Sequence, residues 1–484
     1  MDIFKRPIFY AALICCVASV LFLYAINPFL LLITSILLIV FLSVKYQKLK
    51  YLTIAVIILA FSINLFSESK KIEQINMLDN QSIKGEFLVI SEPVVYDKFN
   101  KTSLKIISSD KLSADIKFMA FDSEKTDFST GDIISATLKI SVIKNNDQYR
   151  FYDYGNGIYA TANITKFEKI VDENKLYKTF DSIRKFVKFK ICDILNGDVA
   201  GLLLAITTGE KSLISDNLLS GVKESGISHV IAVSGLHLSI ILTALFLVID
   251  RLFYNKYIRT VLSLMTVFII CGICGFTMSV VRAATMFLVG AFAPIFKRDK
   301  DLLSMLLTAF TGVLIASPFA VANVSFLLSV LSTLSIVWVV PFYSNLFIKK
   351  FKVNSKIIKA LIDMIFISIF TMLFTLPVVI NIFGYISIIS PITNILVTYP
   401  VIFALIFSCI GLLLSTIPII GVLGNLIIKI AGIFSDIIIH IVNTITKLPV
   451  TIAILPKLAI VLSISIIFIL IFYMYFYKYK SKIN

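Results

Sequence analysis

Long apolar runs separated by short polar connections make up most of this chain. Runs of spanning length lie near residues 7–25, 28–44 and 51–66, and about nine more follow residue 228. A helix needs about 20 largely apolar residues to cross the hydrocarbon core of a bilayer. The pattern therefore predicts a polytopic α-helical membrane protein with about twelve spans.

Residues 67–172 are the one long polar stretch, and apolar and polar residues alternate there with period two. Such alternation between turn residues indicates strands with one buried face. About five strands are expected in this stretch, with alternating runs near residues 85–91, 103–108, 114–121 and 131–140. We predict an inserted small all-β domain, a barrel or a sandwich. Five strands fit an OB-like barrel, although the number alone does not select it.

Residues 173–227 combine two segments that do not span. Apolar residues in 178–195 fall at helical spacing with lysines between them, which is typical of an amphipathic helix at a membrane surface. Residues 199–208 are apolar but too short to cross a bilayer, so we expect a re-entrant or interfacial segment. Four regions follow: N-terminal spans in 1–66, the β domain in 67–172, these segments in 173–227, and a larger transmembrane domain in 228–484.

Composition agrees with a membrane protein and leaves the role of the positive charge open. The chain has 484 residues, 58% of them hydrophobic, and a net charge of +16. The β domain holds 14 basic and 16 acidic residues, so the excess lies in the membrane part. Lysine and arginine accumulate in cytoplasmic loops. This rule places both termini in the cytoplasm and the β domain outside, and makes the charge weak support for nucleic-acid binding.

Polar side chains inside the apolar runs are the candidate functional residues. His229, Ser234, Gly235 and His237 interrupt the segment 227–245, and Arg282 lies deep in another run. Polar groups at membrane depth are costly unless they meet partners or water. They indicate either a hydrated path or interhelical hydrogen bonds. For Arg282 the structural alternative is an ion pair with a carboxylate elsewhere in the chain, either Asp363 or Asp436.

Several other chemistries find little support. The segment TTGEKS (207–212) lacks the first glycine of a phosphate-binding loop, and the C-x-x-C pair at Cys271 and Cys274 lies in an apolar run. Three histidines without a ligand-spaced motif predict no metal site and no cofactor. A membrane serine hydrolase using Ser234 and His440 stays an alternative without an oxyanion site.

A resemblance to a known family is carried by AGLLLAITTGEKSLISDNLLSGVKESGISHVIAVSGLHLSII (200–241). This segment closely resembles the hallmark of the ComEC competence channels, and SVVRA (279–283) is similar to a later family block. The resemblance implies movement of single-stranded DNA through a lipid bilayer during natural transformation, with an OB-like domain outside. It implies phosphate contacts at Lys211 and Arg282, and a path containing the following residues: Gly209, His229, Ser234, Gly235 and His237.

The resemblance also implies partners: a cytoplasmic helicase-like ATPase, an extracellular DNA receptor and a separate nuclease. Many members carry a metallo-β-lactamase-like domain after the last span, and we expect this chain to be a form without it and to be no enzyme. Two alternatives remain, a transporter of another anionic solute and a degenerate intramembrane hydrolase.

Overall fold

The protein is described by a computed structural model. It covers the following residues: 7–23, 49–96, 98–113, 115–143, 150–231, 235–252, 254–292, 301–448, 452–454, 456 and 458–483. The expected span near 28–44 and the candidate Ser234 lie outside these residues. The described part joins apolar helices to a β domain, as expected for a membrane protein with an inserted β unit.

Two N-terminal helices precede the β domain. Helix α1 is Pro7–Leu23 and helix α2 is Leu49–Asn76. Helix α2 continues through the charged segment 67–76, which the sequence pattern assigns to the β domain. The helix therefore extends past its apolar run and ends six residues before the first strand begins.

Six strands build the β domain, and five of them close into a barrel. They are β1 Ser82–Val89, β2 Val94–Val95, β3 Asn100–Ser109, β4 Lys117–Asp122, β5 Asp132–Val142 and β6 Ile158–Glu173. The order is β1-β5-β6-β4-β3-β2, and β1 also pairs with β3. The β4–β6 pair is parallel and the other pairs are antiparallel. Alternate residues, such as Leu104 on β3 and Phe118 on β4, fill the interior.

The barrel is anchored on the membrane part through a short helix, α3 Arg150–Gly155, and the 3₁₀ turn Pro318–Ala322. Asn323 donates from Nδ2 to Asn156 Oδ1 over 2.8 Å. A Cβ on Gly155 would lie 2.4 Å from the backbone nitrogen of Asn323, so only glycine permits this approach. The tyrosine Tyr159 packs on Phe319 and donates from its hydroxyl to Glu68 of α2.

Four helices connect the barrel to the remaining spans: α4 Lys175–Ile194, α5 Gly197–Thr208, α6 Asp216–Glu224 and α7 Ser228–Ile231. Helix α4 is the expected amphipathic helix, and α5 is the short apolar segment. Residues 200–208 of α5 are all buried, so protein surrounds this helix rather than lipid. The backbone N–H and C=O groups of a short helix can be paired within the surrounding protein, so the helix does not have to cross a bilayer.

Four further apolar helices follow: α8 Gly235–Leu252, α9 Lys256–Ile273, α10 Met278–Phe292 and α11 Leu302–Ala316. Helices α9 and α10 are separated by a short break at residues 274–277. Gly275 and Phe276 adopt positive φ values of 71° and 51° there. Arg184 of α4 donates to the carbonyl oxygens of Gly272 and Ile273 at 2.6 Å each, which satisfies the end of α9.

Five of the described helices are long and apolar enough to cross a bilayer by length and composition. They are α12 Val324–Lys350, α13 Lys356–Phe383, α14 Ser390–Ser415, α15 Gly421–Ile445 and α16 Leu458–Ile483. Helix α12 contains a π turn at Ser335–Val339. The short strands β7 Tyr385–Ser387 and β8 Ile452–Ile454 pair after α13 and before α16.

Candidate functional site

Arg282 occupies a polar compartment between α10, α12 and the first turn of α8. Its residue surface is only 4% exposed. The Nη1 atom donates to Thr333 Oγ1 over 3.0 Å and lies 3.2 Å from the sulfur of Met286. We call Arg282, Thr333, Ser329, Ser279 and Gly235 the arginine compartment. A hydroxyl and a thioether are weak partners for a guanidinium, which offers five N–H donors.

Gly235 makes room for the guanidinium at the start of α8. A Cβ built on Gly235 would lie 2.5 Å from Arg282 Nη2 and 3.2 Å from the Cβ of Ala283. Any larger residue would collide with the charged group before it touched anything else. The structure therefore brings together two residues that were proposed separately from the sequence, and it gives the glycine a steric reason.

The charge of Arg282 has no counter-charge among the residues that the structure describes. Its Nε atom is buried and has no hydrogen-bond acceptor in the part of the chain that the structure describes. Asp363, one partner considered from the sequence, instead accepts from Ser344 Oγ at 2.6 Å. Asp436, the other, is exposed on α15. An unpaired buried cation costs several kcal/mol, so it is typically retained where an anion or water can reach it.

His229 and His237 meet on the other side of the α7–α8 junction. Together with Asn394 and Thr398 of α14 they line a cavity of about 30 Å³, which we call the histidine cavity. His237 is 1% exposed. The cavity has room for one or two water molecules and is far too small for a nucleotide.

Asn394 supplies an unsatisfied acceptor beside the histidine cavity. Its Nδ2 atom donates to Ser390 Oγ at 3.3 Å and lies 3.5 Å from Ser368 Oγ. Its Oδ1 atom is buried and has no hydrogen-bond donor within the described part of the chain. Because the amide nitrogen is turned to the serines, the oxygen is the atom left for a molecule in the cavity. Water satisfies a buried acceptor of this kind.

Gly209 and Lys211 lie in a different place, the loop between α5 and α6. Gly209 ends α5 with a φ of 85°, a conformation that favours glycine. Its neighbour Glu210 pairs with Lys188 of α4 and accepts from Ser212 Oγ at 2.7 Å. Lys211 reaches the surface. Partial desolvation, and then the nearby charge of Lys223, lower the pKa of the Lys211 amine. None of the described contacts connects this loop to Arg282.

Several contributors to these compartments were missed from the sequence. Ser329 and Thr333 of α12, and Asn394 and Thr398 of α14, lie in runs that pattern analysis assigns to spanning helices. The signal in the sequence was an excess of hydroxyl residues at Ser329, Thr333 and Ser335 within one apolar helix. Single serines and threonines in spanning helices commonly bond to their own backbone, so that signal alone does not identify a site.

Comparison with known proteins now identifies the family. A family model described as Competence protein matches residues 206–480, which is more than half of the chain. The chain belongs to the Competence protein family. The resemblance to ComEC proteins is confirmed by this match and by one curated relative.

That relative is ComE operon protein 3 of Bacillus subtilis (strain 168). It is 30% identical over 139 residues, which cover 28% of this chain and 18% of the relative. The aligned region is therefore a small part of that protein's length. No solved structure matches this chain. The family match includes α7, α8, α10 and α12, so both compartments lie inside the part that defines the Competence family.

Proposed function

We propose that this Competence-family protein forms a membrane channel that moves single-stranded DNA across the cytoplasmic membrane during natural transformation. The observation that carries the proposal is Arg282, a buried guanidinium that has no carboxylate partner among the described residues. A strand of phosphates needs cationic contacts and hydration to pass through a bilayer. A buried arginine that lacks an anion fits such a passing phosphate.

The proposed channel has about twelve spans, both termini in the cytoplasm and the barrel outside. Its barrel is OB-like: five strands close in the order β1-β5-β6-β4-β3, with β4 and β6 parallel. This Greek-key arrangement supports the assignment. The domain division at residues 66, 172 and 227 is part of the same proposal, with α2 extending into the barrel region.

The described arrangement corresponds to a closed channel in this proposal. The histidine cavity holds about 30 Å³, so DNA cannot pass beside His237 without movement of α8. Helix α8 is the element that would move, since it carries Gly235 of the arginine compartment and His237 of the histidine cavity. At the entrance of the channel, Lys211 would contact phosphate groups. Gly209 would act as the hinge of the loop that carries Lys211. The helicase-like ATPase, DNA receptor and separate nuclease would supply driving force and substrate.

The test replaces Arg282 in a naturally competent host. Arg282→Gln keeps a polar side chain and removes the charge, and Arg251→Gln is the matched control because Arg251 is exposed at the end of α8. Transformation frequency and internalised labelled DNA are measured together with DNA bound at the surface. We expect Arg282→Gln to lower uptake at least about thirtyfold with normal surface binding, because a lost buried charged contact costs about 2–5 kcal/mol.

The same assay separates the alternatives. Ordinary uptake of labelled single strands by a deletion strain would overturn the channel proposal. Normal DNA uptake combined with lost uptake of a small anion would favour the transporter. A covalent adduct on Ser234 with a serine-directed probe would favour the hydrolase.

A further inference from the structure

Two helices present matching polar stripes beside Arg282. On α10, Ser279 and Arg282 are three residues apart, and on α12, Ser329 and Thr333 are four residues apart. Residues at these spacings lie on one face of a helix. Ser279 Oγ lies 3.1 Å from Ser329 Oγ, and Arg282 Nη1 lies 3.0 Å from Thr333 Oγ1. The two contacts together form a continuous polar seam between the helices.

The polar seam contains hydrogen-bond donors that could bond to an incoming acceptor. Thr333 Oγ1 donates to the carbonyl oxygen of Ser329 over 2.8 Å, within its own helix. A hydroxyl rotates about its C–O bond, so the same hydrogen can turn to an incoming oxygen. The Arg282 Nε–H group has no acceptor to give up within the described ranges. An anion at this place therefore gains a charged donor and a hydroxyl donor, while little is lost inside the helices.

We propose that Ser279, Ser329 and Thr333 complete a binding station for a phosphate group, with Arg282 as its charged member. The ligand class is a tetrahedral phosphate oxyanion, carried by the phosphodiesters of single-stranded DNA. This inference rests on the proposed function and adds the residues that would hold each phosphate. One guanidinium group can donate two parallel hydrogen bonds to two oxygens of a phosphate. Hydroxyl groups can then donate to the remaining phosphate oxygens.

Burial of the station explains why hydroxyls are used in place of further cations. A second unpaired arginine or lysine at this depth would add another desolvation cost of several kcal/mol. In the described arrangement Thr333 bonds to its own helix and Ser279 bonds to Ser329, so these hydroxyls cost little when the site is empty. One cation with several hydroxyls also binds each phosphate weakly enough to release it, which a conduit requires.

The experiment measures binding by the purified full-length protein in lipid nanodiscs. The probe is a fluorescein-labelled oligothymidine, followed by anisotropy, with inorganic phosphate as competitor. The variants are Thr333→Val and Ser329→Ala. Ser332→Ala is the matched control, because Ser332 donates to the same Ser329 carbonyl oxygen as Thr333 and has no described contact with Arg282. Melting temperatures verify that each variant is folded.

We expect Thr333→Val and Ser329→Ala to raise the Kd about three- to tenfold, as one lost hydrogen bond of about 0.5–1.5 kcal/mol predicts. Thr333→Ser should restore binding, since it keeps the hydroxyl, and Ser332→Ala should match the wild type. Millimolar inorganic phosphate should displace the oligothymidine from the wild type and displace it less effectively from Thr333→Val and Ser329→Ala. This result would identify the phosphate group as the ligand.

Two results separate the inference from the proposed function. In the first, Arg282→Gln abolishes DNA uptake and weakens oligothymidine binding, while Thr333→Val and Ser329→Ala bind as tightly as the wild type. The seam is then only structural, and the inference is wrong. If a deletion strain takes up DNA normally while the seam variants lose inorganic-phosphate binding, the station exists and the DNA channel does not. A folded Thr333→Ser variant as weak as Thr333→Val would also overturn the inference, because the hydroxyl would then be irrelevant.

Discussion

Two equally buried charges, one in the barrel and one among the spans, are treated in opposite ways. The Asp132 side chain at the start of β5 is 4% exposed and pairs with Lys178 of α4 at 2.6 Å. It also accepts from the backbone and hydroxyl of Ser129 at 2.6 and 3.1 Å. Arg282 is 4% exposed as well, yet its oxygen partner within the described residues is a single hydroxyl. The compensated charge holds the structure together, and we propose that the charge of Arg282 is available for a ligand.

Titration behaviour in the barrel follows from this compensation. Burial alone would raise the pKa of the Asp132 carboxyl, but hydrogen bonds from Lys178 and Ser129 outweigh it and hold the pKa below its ordinary value of 3.8. Burial alone would lower the pKa of the Lys178 amine, whereas Asp132 and then Glu173 raise it. Both members therefore stay charged at neutral pH. The pair fastens the first turn of α4 to the barrel.

The largest expected effect is on DNA uptake when Arg282 is replaced, with no matching loss of thermal stability. Replacing Arg282 by Leu should lower DNA uptake at least about thirtyfold, because the charge that meets phosphate is gone. Thermal stability should stay equal or rise, since an apolar side chain removes an unpaired buried charge. Melting curves and transformation frequencies measure the two quantities. A strong loss of stability would show that Arg282 is a structural partner after all.

The next effect concerns the space that Gly235 leaves. Gly235→Ala places a methyl group 2.5 Å from Arg282 Nη2, and the flexible guanidinium should yield and leave its position. We expect about a tenfold loss of uptake, which corresponds to about 1.4 kcal/mol, with little change in melting temperature.

Gly312→Ala is the control for that change. A Cβ on Gly312 of α11 meets its nearest neighbour, Thr285, only at 4.0 Å. This variant should therefore keep wild-type uptake. Equal uptake in both alanine variants would contradict the steric role of Gly235.

A smaller effect is expected from the barrel pair. Asp132→Asn should lower the free energy of unfolding by about 1 kcal/mol, because the amide keeps the bonds from Ser129 but loses the charge that holds Lys178. Lys178 retains Glu173 at 3.4 Å, which limits the loss. Denaturant unfolding in detergent measures it, with the exposed Asp127→Asn as control. Uptake per folded molecule should not change, in contrast to Arg282.

The smallest effect is the pH dependence of the same pair. The folded pKa of Asp132 lies below the unfolded one, so its contribution is fully present above the unfolded value and is lost as the pH falls through the folded value. The stability difference between the wild type and Asp132→Asn should be constant near pH 6–8 and shrink as the pH falls below about 4. A difference that grows in acid would contradict the depressed pKa.

Much of the architecture followed from local patterns. Alternation in residues 82–142 predicted the strands, and the spacing of Phe180, Ile183 and Val187 predicted α4. Closure of the barrel did not follow, because the β1–β3 and β4–β6 pairings join residues far apart in the chain. The continuation of α2 to Asn76 did not follow either, because the charged residues from 67 onward indicate the end of an apolar run.

The sequence by itself identified the unusual residues of the apolar runs: an arginine, two histidines and a glycine. The free-energy cost of placing a polar side chain in lipid follows from its residue type. Which groups compensate them was decided only by tertiary structure. Gly235 and Arg282 touch because α8 and α10 pack together, and Thr333 reaches Arg282 from a third helix. Helix packing sets those distances, and no local periodicity encodes them. The absence of a carboxylate beside Arg282, within the described part of the chain, is likewise a property of the fold.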